Sequence, residues 1–93
     1  MSLLRRTPVT SSLLAAVGYD EATQTLEAVF MPNKNGIAPV YRYQGITKQQ
    51  YDKVMNPAEG ESVGKNFAMV KKYHFGDRVA LIHPDGSEEA LEI

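Results

Sequence analysis

Residues 60–64 read Gly-Glu-Ser-Val-Gly, a match to G-x-S-x-G. In α/β-hydrolases that pattern lifts a nucleophilic serine onto a sharp turn between a buried strand and a helix. Here Asn56-Pro57 and a turn-forming "PAEGE" precede it, and only His74 and His83 could act as base. A chain of 93 residues is too short for the hydrolase sheet, so the match is read as coincidental and no enzyme is expected. Ser62 is explained as the N-cap of a following helix.

The same stretch offers a second chemistry. A helix start with Ser62, Gly64 and Lys65 can hold an anion on its free N–H groups. It is not a P-loop, which needs a longer glycine-rich run before its lysine. Lys65 and Lys72 are seven apart and share a helix face, and Lys71 adjoins them, so the three form a basic strip or an ordinary solvated face. Two histidines at unrelated positions and no cysteine leave no metal-ligand set, and no cofactor is expected.

"VYRYQG", residues 40–45, carries the third candidate. In a strand, Tyr41 and Tyr43 share one face and Arg42 takes the other. The rings are either a platform on which bases stack, worth about 1–3 kcal/mol each, or core. Aromatic residues at sheet spacing mostly pack, which favours core and leaves Arg42 on an open face as the better contact residue.

The elements that must position these groups follow from periodicity. Residues 1–10 are expected to be a flexible arm, because Pro8 opposes regular structure. "SSLLAAVGY", "TLEAVFM" and "VYRYQ" read as three strands with short connections, an antiparallel meander. Thr47 and Gln50 form a capping box, with Ile46 and Tyr51 as its hydrophobic staple. The helix they open carries Tyr51, Val54 and Met55 on one stripe and ends at Asn56-Pro57. Val63, Phe67 and Val70 mark a second helix. "RVALI", "HPDG" and "EEALEI" read as a C-terminal hairpin. The expected fold is α+β: a three-stranded antiparallel meander with two short helices on one face, plus that hairpin. Residues 11–93 form one domain.

Composition narrows the function classes. Hydrophobic residues are 43% and charged residues 23%, as in an ordinary globular domain. Net charge is −1, but its distribution is uneven. Through Phe75 nine basic residues face six acidic ones, giving +3; from Gly76 onward one faces five, giving −4. A mildly basic body with an acidic tail admits a local basic patch. No apolar run approaches a membrane span and no signal-peptide core follows the N-terminus, so a cytoplasmic protein without a membrane partner is expected.

Together, "SSLLAAVGYD", "LEAVF", "YRYQGI" and "SVGKNF…VKKY" resemble the KTSC family, named for a domain at the C-terminus of some lysyl-tRNA synthetases. Small stand-alone members occur in bacteria and phages. Ser11, Ser12, Val17, Gly18, Tyr19, Asp20, Leu26, Phe30, Tyr41, Tyr43, Gly45, Ser62, Gly64 and Phe67 fit the family pattern over roughly residues 11–73. The loop at 32–39, "NPAEGE" and the hairpin at 77–93 are additions to it. The resemblance implies a non-catalytic binding module with RNA as the suggested partner. The alternatives are a module for a small phosphate-containing ligand such as a nucleotide, as a homo-oligomer or not, and a protein-interaction adaptor that uses an exposed sheet edge. The contact candidates are Arg42, Tyr41, Tyr43, Ser62, Gly64, Lys65, Lys71 and Lys72.

Overall fold

The computed structural model describes residues 5–91. In chain order these form β1 (Arg6–Pro8), β2 (Leu14–Asp20), β3 (Thr25–Phe30), β4 (Ala38–Tyr43), α1 (Lys48–Met55), α2 (Val63–Tyr73), β5 (Gly76–Ile82) and β6 (Glu88–Ala90). The fold is α+β, one six-stranded antiparallel sheet in order β1 to β6 with two helices.

Two expectations change. The C-terminal hairpin forms, β5 with β6, but it is not separate from the three-stranded meander: β5 also pairs with β4 from Ala38↔Ile82 to Tyr43↔Gly76, so the sheet is continuous. Within the arm, Arg6–Pro8 form an edge strand on β2. A three-residue edge strand tolerates proline because one side of it needs no ladder donor. Residues 1–4 of that arm lie outside the described residues.

Alternation along the strands builds two different faces. Leu14, Val17, Leu26, Ala28 and Tyr43 point to the helices and meet Ile46, Val54, Val63 and Phe67 in the main core. Phe67 packs edge-on against Tyr43 at 5.4 Å and against Phe30 at 5.7 Å between ring centres. Truncating so buried an aromatic costs about 3–5 kcal/mol.

The helix-free face buries Val29, Ala38, Val40 and Ala80 together with Glu27 and Arg42, which belong to a row of charges. Register aligns Arg6, Gly18, Glu27, Arg42 and Asp77 on five successive strands. Gly18 contributes no side chain to that row, and Arg6 Nε comes within 3.5 Å of Glu27 Oε1 across it. The sheet curls until Arg6 of β1 also pairs with Glu88 of β6, so its two edges approach each other over this face.

The helices start as their sequences predict. Thr47 accepts from the Gln50 amide, and the Gln50 side chain accepts from the Thr47 amide. Tyr19 stacks on Tyr51 at 4.5 Å and donates its hydroxyl to the Ile46 carbonyl, tying the α1 entry to β2. Gly45 reaches α1 through a positive φ of 75°, which a side chain would disfavour. Buried Asn66 of α2 donates to the Lys53 carbonyl and to Glu61, holding the helices together.

Candidate binding site

α2 ends at Tyr73, and the chain passes through His74 and Phe75 directly into β5 at Gly76. The turn is fastened to the end of β4 by His74 Nδ1, 3.2 Å from the Gln44 carbonyl. A carbonyl only accepts, so Nδ1 carries the proton there.

Gly76 stands opposite Tyr43 in the β4–β5 ladder, and the Tyr43 ring lies across it. A Cβ at position 76 would sit 2.4 Å from the ring. The absent side chain leaves room for the ring and its hydroxyl, both of which lie over Gly76. Tyr43 is 2% exposed, and burial first, then the neighbouring Tyr41, pushes its phenol up to about 12. The hydroxyl therefore stays a donor at neutral pH.

Between β4 and the end of α2 lies a recess of about 400 Å³. Tyr41 and Tyr43 form one wall, Lys71, Lys72 and Tyr73 another, and the His74–Gly76 turn closes it. That volume suits a small ligand, for which sites run roughly 300–1,000 Å³. Tyr73 is 71% exposed and Phe75 95%, so two aromatic faces at its rim are open. Lys71 Nζ lies 5.6 Å from the Phe30 ring centre and Lys72 Nζ 5.8 Å from that of Tyr73. Among the described residues neither ammonium has a carboxylate partner. The arrangement offers donors, positive charge and stacking surface, which suits an acceptor-rich anion with an attached ring.

The fold thus brings together four of the residues read as candidates: Tyr41, Tyr43, Lys71 and Lys72. It separates the others. Ser62 and Lys65 belong to the opposite end of an 11-residue helix, about 16 Å long at ordinary rise. Ser62 Oγ accepts from the Lys65 amide, as an N-cap. A Cβ on Gly64 would come within 3.0 Å of Ser11 Oγ, so the glycine serves close packing onto the entry to β2. Arg42 does not stand on an open face. It is 9% exposed and bonded to Glu27, because the curled sheet covers the side that the strand pattern leaves free. Tyr73, Phe75 and Gly76 were not singled out from the sequence, and His74 was considered there only as a base or metal ligand. The signal was present in "KKYHFG", where cations and aromatics interleave.

A curled antiparallel sheet backed by two helices, with a donor-rich recess beside α2, defines a small α+β domain with a ligand-sized site. The KTSC domain model matches residues 10–68, more than half the sequence, and the chain belongs to the KTSC domain family. The crystal structure of a KTSC domain protein from Yersinia pestis is similar to it, with a TM-score of 0.65 and 26% sequence identity over 81% of this chain and 96% of that one. Among curated proteins no sequence matches significantly. The family match ends before Lys71, so Tyr41 and Tyr43 lie within it while the α2 end and the closing turn lie beyond.

The family motifs acquire physical reasons here. Ser11 Oγ accepts from the amides of Leu13 and Leu14 and sets the turn into β2. Gly18 adds no side chain to the charge row, Tyr19 holds the α1 entry, and Asp20 accepts from the Ala22 amide to start the β2–β3 turn.

Proposed function

We propose that this domain is a small non-catalytic module of the cytoplasm that binds single-stranded RNA through the recess at the end of α2. The observation that carries the reading is the meeting of Lys71 and Lys72 with the open rings of Tyr73 and Phe75 beside Tyr41 and Tyr43. Ammonium groups without carboxylate partners attract phosphates, and exposed rings accept bases whatever their sequence. Lys65, on the same helix, extends the positive charge along α2.

Binding of this kind is weak, largely sequence-independent and salt-sensitive, with each contacting lysine adding about 0.7 to the salt slope on a single strand. Anisotropy of a labelled single-stranded RNA, titrated at about 50 mM salt, tests it. Lys71→Ala with Lys72→Ala lowers both affinity and slope and leaves the melting temperature nearly unchanged. Absence of binding up to high micromolar protein overturns the reading.

A further inference from the structure

Tyr43 is almost wholly buried and lines the recess, its hydroxyl lies over Gly76 of the same recess, and among the described residues that hydroxyl makes no hydrogen bond. The Tyr41 hydroxyl in the same wall has none either. Buried tyrosines ordinarily find a partner for that group. Here the protein spends the ring in the core, against Phe67 for Tyr43 and Phe30 for Tyr41, and leaves the polar ends unspent. Gly76 is what allows it, since any side chain there would meet the Tyr43 ring and its hydroxyl.

Every free polar group that the walls offer from Tyr41, Tyr43, Lys71 and Lys72 can donate, and the ammoniums can only donate. A donor-only pair of charges with two phenols calls for a compact anion with several acceptor oxygens. A phosphate satisfies that demand with more oxygens and more negative charge around one centre than a carboxylate carries. The open faces of Tyr73 and Phe75 at the rim supply a stacking surface for a ring joined to that phosphate.

We propose that the recess is a phosphate pocket for one nucleotide unit: the phosphate accepts from the hydroxyls of Tyr41 and Tyr43 and from Lys71 and Lys72, and the base stacks on Tyr73 or Phe75. This rests on the RNA-binding reading of the same site and deepens it, because it assigns a fixed phosphate position to what is otherwise diffuse attraction. The unit is either a free nucleoside monophosphate or the phosphorylated terminus of a strand.

The test is titration of the whole chain with adenosine 5′-monophosphate, with adenosine, and with a short single-stranded RNA bearing either a 5′-phosphate or a 5′-hydroxyl. Intrinsic tyrosine fluorescence is the readout, since the chain has no tryptophan. Tyr43→Phe and Tyr41→Phe remove only the hydroxyls and keep the packed rings. The expected result is binding of the monophosphate but not of adenosine, with each phenylalanine variant weakening it about tenfold, the scale of one hydrogen bond to a charged group. Tighter binding of the 5′-phosphorylated RNA identifies the strand end as the source of the phosphate. Binding of the monophosphate without any binding of RNA identifies a free nucleotide, which keeps the pocket and replaces the RNA reading. RNA binding that ignores the terminal phosphate and both phenylalanine substitutions overturns the pocket and leaves the RNA reading standing. Failure of all four probes overturns both.

Discussion

Arg42 on β4 faces Glu27 on β3 across the sheet, and its Nε donates to Glu27 Oε2 at 3.0 Å in a site closed to solvent. Glu27 is fully buried and is approached from the other side by Arg6. An ion pair in such a place is costly to desolvate, so its worth lies in the consequence of breaking it. Glu27→Leu alone, which leaves Arg42 buried beside an apolar neighbour, is expected to cost about 3–5 kcal/mol. Glu27→Leu with Arg42→Met is expected to recover most of that loss, because a matched apolar pair removes both charges. Urea midpoints of the two variants check this; a double variant no more stable than the single one contradicts it.

Tyr43 couples stability to alkaline pH. Its folded value, about 12, lies above the ordinary 10.0. The folded state disfavours the phenolate, so this contribution is whole below pH 10 and declines as pH rises toward 12. Each unit of such a difference is worth about 1.4 kcal/mol, so the decline amounts to a few kcal/mol. Tyr43→Phe is expected to flatten the stability profile over that interval. Denaturant unfolding of both proteins on either side of pH 10 measures it, and parallel profiles reject the assignment.

Gly76→Ala tests the close approach beneath that ring. The added Cβ meets ring atoms of Tyr43 at 2.4 and 2.6 Å, too near for the side chain to remain in place. Overpacking of a core usually costs about 1–3 kcal/mol. A lowered melting temperature together with lost monophosphate binding is the expected pair of results. An unchanged melting temperature refutes the packing argument.

Thr47→Ala removes the hydroxyl that accepts from the Gln50 amide at 3.1 Å. N-cap losses are typically about 1 kcal/mol, and that is the expected destabilisation. Thr47→Ser keeps the acceptor and should retain nearly all of the stability. Thermal unfolding of the two variants separates the cap from mere loss of volume.

Local chemistry was legible in the sequence wherever one element suffices. The capping box at Thr47, the N-cap at Ser62, the shared face of Tyr41 and Tyr43 and the apolar stripe of α2 depend on spacings of two, three and four residues. Those spacings are set by strand and helix geometry before any tertiary contact forms. The family resemblance rests on the same local motifs, which is why it too could be read there.

Tertiary structure alone decided what lies between elements. Three residues around Pro8 carry too little pattern to announce a strand, and β1 exists because β2 offers it a ladder. The hairpin became part of the sheet because Gly76 admits the Tyr43 ring, a fit visible only when β4 and β5 lie side by side. Arg42 was buried by curvature: alternation assigns it to the face away from the helices, but only the approach of Arg6 to Glu88 closes that face. The recess formed for the same kind of reason. Tyr41 and Lys71 are thirty residues apart, and their meeting depends on how α2 is laid across the sheet, which periodicity within either segment does not encode.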